Sequence, residues 1–324
     1  MAALLVLFFL GSLAVTLAAA AFFARRLDRI GLRLGLPETL LGLLTALAAD
    51  APEAASAIAA LVKGAHGVGV GVILGSNVFN LAAMVGFSAI LCGGIRIRPE
   101  ALAVESAVGL AATLIVGALV LELVGPWAAL ALLAAVLVPY LTLLGLGPRR
   151  APAPLRRFFG EPHRPDHVLV HGEKVLVPAL TLLPALVIIV AGSTGMVEAA
   201  LELAHRWSVP EMLVGIVVLA VLTSLPNAFT AARLALQRRG SAVVSETLNS
   251  NTTNLLVGIS IPALFLTLGS TSALTAFDLA WLLLMTVVVV ALFAQRTGVK
   301  RSGGAAILAL YAVFVAVQIA SAAT

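Results

Sequence analysis

The chain has 324 residues, of which 61% are hydrophobic and 11% charged. No soluble domain can hide that much apolar surface, so the composition excludes the soluble classes and leaves an all-α polytopic membrane protein. The net charge of +5 does not mark a nucleic-acid binder, because the basic residues fall in short loops between apolar runs.

Taken in order, the apolar runs predict ten transmembrane helices, near 3–24, 38–62, 68–92, 101–122, 126–147, 175–203, 209–236, 242–268, 273–294 and 304–322. The first reads as a spanning helix rather than a signal peptide, since no positive charge precedes it and its length suffices. Arg25, Arg26, Arg29 and Arg33 follow it and hold that end in the cytoplasm. With that loop inside, eighteen of the twenty Lys and Arg residues fall on cytoplasmic loops; only Lys63 and Arg206 fall outside. Both termini are then expected outside. Compactness and the want of a targeting segment point to a prokaryotic inner membrane.

The second span carries Asp50-Ala51-Pro52-Glu53 inside an apolar run. Acids at that depth are expensive and are normally kept because an ion or substrate needs them. Pro52 removes a backbone donor and pushes Ala51 away from helical geometry, so a break is expected there, with carbonyls freed beside two carboxylates. Cys92 stands alone and can form no intrachain disulfide.

Residues 148–173, rich in Pro, Arg and His, read as a cytoplasmic linker between a first half (1–147) and a second (174–324). Five spans per half is an odd number, which turns the second half upside down relative to the first. His163, His167 and His171 have a helical metal-ligand spacing, but Pro162 and Pro165 argue for a solvated loop instead.

The halves repeat. Pro52 matches Pro226, Ser76 matches Ser250, Asn77 matches Asn251 and Asn80 matches Asn254, all at an offset of 174. Upstream, Pro37-Glu38 and Gly42 match Pro210-Glu211 and Gly215 at 173. The repeated hairpins cover about 38–92 and 209–268. Polar identities at fixed spacing in apolar hairpins predict an inverted repeat with its site where the hairpins meet near the midplane.

Thr223-Ser224-Leu225-Pro226, Pro52-Glu53 and Gly75-Ser76-Asn77-Val78-Phe79-Asn80 resemble the alpha repeats of the calcium/cation antiporter superfamily, the sodium/calcium exchanger type. The resemblance implies ten helices as two inverted five-helix repeats, no enzyme activity, no cofactor, and inorganic cations as cargo. It implies a cation site from Asp50, Glu53, Ser76, Asn77, Asn80, Thr223, Ser224, Asn227, Ser250, Asn251 and Asn254, with Glu246 as an accessory. The chain departs from the family pattern at several of these. Asn227 stands where an acid usually follows the proline, Asn254 stands where many exchangers carry an acid, and Asp50 replaces a Ser.

Two acids with neutral oxygens around them suit a divalent cation. Without a cation, two close carboxylates repel, and one takes up a proton. The sequence therefore favours a secondary antiporter exchanging calcium against sodium or protons. A monovalent cation/proton antiporter and, less well, a passive channel use the same ligands. An intramembrane aspartyl protease needs acids on two facing helices, whereas Asp50 and Glu53 share one segment. No GxxxxGK[ST] motif supports an ATP-driven pump. Glu105, Glu198 and Glu202 could line an access path, but Glu202 reads as solvated and Glu105 as snorkelling near its helix end, so those two read as structural. Gly67, Gly69, Gly71 and Gly75 are expected to permit close helix packing.

Overall fold

A computed structural model describes residues 2–34, 46–152, 180–269, 272–295 and 297–322. The matches at Pro37, Glu38 and Gly42, the three linker histidines and most of residues 148–173 lie outside it.

The fold is almost wholly helical. In chain order it runs α1 (Ala2–Arg33), α2 (Ala51–Val62), α3 (His66–Cys92), β1 (Gly94–Ile95), α4 (Pro99–Val120) and α5 (Pro126–Arg150). Then come α6 (Leu182–Trp207), α7 (Glu211–Thr223), α8 (Leu225–Leu236), α9 (240–260), α10 (Ala273–Ala294), β2 (Val299–Lys300) and α11 (Arg301–Ala322). The two short strands pair antiparallel, Gly94 with Lys300 and Ile95 with Val299, so the loops before α4 and before α11 meet at one end of the bundle.

Among the described residues, seven helices are long and apolar enough to cross a membrane, or eight if the bent pair α7–α8 is one span. The difference from ten expected spans has two physical sources. In 38–62 only α2, 12 residues long, stands as a complete helix among the described residues. α9 is long enough but carries a polar run, Ser245 to Asn254, which keeps it from reading as apolar.

Both proline breaks are one residue wide, and the first sits at Asp50, one residue before Ala51, where Pro52 predicts it. Asp50 (φ −79°, ψ −5°) and Ser224 (φ −85°, ψ 1°) occupy the breaks. Ala51 and Leu225 already begin the next helix, where a proline at the second position sacrifices no needed donor. At Ser224 the axis turns by 44°.

Glycines set how closely the hairpins cross. A Cβ on Gly75 would lie 2.2 Å from the Ile216 carbonyl oxygen, and one on Gly215 2.7 Å from that of Val68. α3 and α7 therefore touch backbone to backbone, as small residues allow in membranes. Gly71 joins that contact and Gly69 packs on Leu61, but a Cβ on Gly67 would meet only Met212, at 3.9 Å. Past the crossing, α3 widens into π-helical turns over Leu81–Phe87 and α9 over Asn254–Ser260. Such turns cluster at functional sites, and here each begins at or just after the last Asn of its motif.

Candidate cation site

All eleven residues of the expected ligand set are buried, none more than 7% exposed, and most meet across the two hairpins. The break places Asp50 and Glu53 at the start of α2. The crossing of α3 with α9 brings up the Ser-Asn motifs.

Asn77 and Asn251 trade places across the crossing. Asn77 Nδ2 donates to the Asn251 carbonyl at 3.0 Å, and Asn251 Nδ2 donates to the Asn77 carbonyl at 3.0 Å. Residues 174 apart that bond to each other in both directions are what a two-fold relation between the hairpins produces. Asn80 Nδ2 reaches Ser250 Oγ (3.1 Å) and Asn251 Oδ1 (3.2 Å), and Asn254 Nδ2 reaches Asn77 Oδ1 (3.2 Å).

The carboxylates are held from the second half. Ser250 Oγ donates to Asp50 Oδ1 at 2.5 Å, and Ser224 Oγ donates to Glu53 Oε1 at 2.9 Å. Asn227 Nδ2 lies 2.7 Å from Asp50 Oδ1, 3.2 Å from Glu53 Oε1 and 3.3 Å from Ser250 Oγ. One amide nitrogen has two hydrogens, so it serves two of these three at once. The sequence casts Asn227 as a neutral oxygen ligand. In the structure its nitrogen faces the acids, because a donor between two carboxylates relieves their repulsion.

Within this set of eleven residues, four buried oxygens have no hydrogen-bond partner: Asp50 Oδ2, Glu53 Oε2, Asn80 Oδ1 and Asn254 Oδ1. Leaving a buried acceptor unmade costs roughly 1–3 kcal/mol, and hard oxygens of this kind are what a calcium or sodium ion takes. The donor set fits a cation of that class. Among the described residues no three His, Cys, Asp or Glu gather, so two carboxylates with neutral oxygens are the available chemistry.

Thr223 and Ser76 contribute less directly. Thr223 Oγ1 donates to the Leu219 carbonyl at 2.8 Å, and Ser76 Oγ to the Ala220 carbonyl at 3.4 Å. Glu246 is half-buried, has one unpartnered buried oxygen, and lies within electrostatic reach of Asp50 and Arg239.

Glu198 and Glu202 are surface residues, paired with Lys63 (2.5 Å) and Arg206 (2.6 Å). Glu105 does not snorkel. It is 4% exposed and takes a hydrogen bond from Ser245 Oγ at 2.5 Å, because α4 lies against α9 there and not against lipid. The sequence reading passed over Asp278, which is fully buried and bonded by Gln318 Nε2 at 2.5 Å. An acid inside a 22-residue apolar helix was the available signal.

Comparison with known proteins agrees with this architecture. Solved structures of the sodium-calcium exchanger NCX_Mj match over 98% of this chain and 99% of theirs; one soaked with Na+ and Sr2+ gives a TM-score of 0.66 at 20% identity. The chain is 38% identical over 71 residues to "Sodium/calcium exchanger MaX1" of Methanosarcina acetivorans, covering 22% of this chain and 20% of that protein. It is 30% identical over 149 residues to the mouse "Sodium/potassium/calcium exchanger 4", covering 43% of this chain and 24% of that one. The matched part is thus about a fifth to a quarter of these relatives' length. The family described as "Sodium/calcium exchanger protein" matches twice, over residues 4–145 and 177–320. With both halves matched, the chain belongs to the sodium/calcium exchanger family.

Proposed function

We propose that the chain is a secondary cation antiporter working by alternating access, exchanging calcium against sodium or protons. The observation that carries this reading is the set of four unpartnered buried oxygens, two of them carboxylate, where the hairpins of the two halves cross. Ten helices in two inverted five-helix halves, 1–147 and 174–324, complete the proposal. The reciprocal Asn77–Asn251 bonds and the paired family matches support it. The eleven buried residues of the crossing form the site, with Glu246 as accessory.

The test is flux in proteoliposomes. Calcium uptake that requires an opposing sodium or proton gradient is the expected result; uptake indifferent to any opposing gradient would make the protein a channel. A second reading, monovalent cation/proton exchange, is favoured by Asn227, since an amide beside Asp50 and Glu53 leaves fewer charges for a divalent ion. Calorimetry with calcium, sodium, potassium and magnesium separates the two.

A pH dependence follows from the two close acids. A cation must displace any proton the pair shares, so binding releases protons and weakens as pH falls. Calorimetry in buffers of different ionisation enthalpy measures the release. Affinity that is flat from about pH 5 to about pH 9 would count against proton coupling.

Orientation is tested separately. A cysteine introduced at Ala153, in a Cys92→Ser background, should resist a membrane-impermeant reagent in right-side-out vesicles. Ready labelling would reverse the proposed topology, with its termini outside and 148–173 in the cytoplasm.

A further inference from the structure

Among the described residues, each half carries one more buried acid, Glu105 and Asp278, and neither belongs to the site above. α4 and α10 are both 22 residues long and start 174 apart (273 − 99 = 174), the offset that relates the Ser-Asn motifs. Glu105 is the seventh residue of one and Asp278 the sixth of the other. Each accepts one hydrogen bond from a neutral side chain, Ser245 for Glu105 and Gln318 for Asp278. Each leaves its second oxygen buried and without a partner.

The acids lie toward opposite ends of the bundle. β1 precedes the start of α4 and β2 follows the end of α10, and the strands pair. The start of α4 and the end of α10 are therefore neighbours. Asp278 lies near the other end of α10, whose 22 residues span about 33 Å. Each acid sits about 7–9 Å inside its helix.

The surroundings select the ligand. A metal ion needs several oxygens. Asp278 accepts its hydrogen bond from Gln318, and its helix neighbours Phe277 and Trp281 form a ring cluster with Phe314 and Tyr311 of α11. Glu105 has Ser245, but it also lies within electrostatic reach of Arg98, which repels a metal ion, and of Tyr140, whose hydroxyl is bound to Asn249 at 2.8 Å. A proton needs one lone pair, and each acid has an oxygen to give. Intramembrane acids serve as proton relays in pumps and transporters.

We propose that Glu105 and Asp278 are a pair of proton-binding sites, one toward each face of the membrane, that load and release protons during exchange. This rests on the antiporter reading, and the experiment separates the two. Infrared spectra of the reconstituted full chain, taken as pH is raised, should show buried carboxylic-acid C=O bands that bleach. One component should be missing in Glu105→Gln and another in Asp278→Asn, in a Glu53→Gln background as well as in the parent. Proton flux driven by a cation gradient should fall at least about tenfold in the double variant. Glu105→Asp and Asp278→Glu keep a carboxyl and should restore part of it. Spectra unchanged in both single variants would overturn the proposal, and so would proton flux equal to the parent's in the double variant. If the double variant fails to fold, the bands and flux of each single variant decide. A parent that shows both bands yet exchanges no cation would fail the antiporter reading and leave the band assignment standing.

Discussion

Glu53→Gln is expected to lose most cation binding while the protein folds and elutes as the parent does. The substitution keeps the side chain's shape and the acceptor that Ser224 Oγ uses, and removes the charge and one of the four free oxygens. A charge-assisted ligand contact contributes roughly 1.5–3 kcal/mol, or about a tenfold to hundredfold change in affinity. Asp50→Ser should be milder, because it restores the hydroxyl that the family carries there, and it should alter pH dependence or ion preference. Asn227→Glu should raise calcium affinity, because it exchanges a donor that now bridges the acids for a third carboxylate. All three belong in one reconstituted transport assay with size-exclusion profiles. If Glu53→Gln transports like the parent while Asp50→Ser is dead, the central acid is Asp50.

Gly75→Val should be at least as damaging, by a different route. Its Cβ would fall 2.2 Å from the Ile216 carbonyl oxygen and 2.9 Å from Ala220 Cβ. No rotamer relieves a clash with backbone, so α3 and α7 must separate by on the order of 1 Å. Overpacking of this kind costs typically about 1–3 kcal/mol. The same shift moves Ser76 and Asn77, the next two residues, away from the partner hairpin. Thermal unfolding in detergent should show a lower midpoint, and calcium binding should weaken even in the folded fraction. Gly67→Ala is the control, since its Cβ would meet only Met212, at 3.9 Å. Equal stability of parent and Gly75→Val would mean that the two helices are not held at this distance.

Much of this protein could be read from the chain because a membrane makes polar residues conspicuous. Asp50, Glu53 and the two Ser-Asn motifs stand in apolar surroundings, where each unpaired polar group costs several kcal/mol. Their repetition at 174 therefore pointed to one site built from two hairpins, and all eleven residues are buried in the structure. The glycines at 71 and 75 were legible for a similar reason, since side-chain-free positions on a membrane helix invite a close neighbour.

Other features depended on partners 40 to 177 residues away in the chain. Whether Asn227 presents oxygen or nitrogen is decided by the two carboxylates opposite it, which no local pattern contains. Glu105 has the sequence of a snorkelling acid near a helix end, yet α9 covers it and Ser245 binds it. Asp278 needs Gln318 from the next helix to be tolerated at all. The sequence by itself determined the membrane class and the repeat, because those follow from composition and spacing, and it singled out the polar residues that the structure buries together. Only the tertiary structure decided which carboxylate oxygens are left free, because the side chains that hydrogen-bond Asp50 and Glu53 all come from the opposite hairpin.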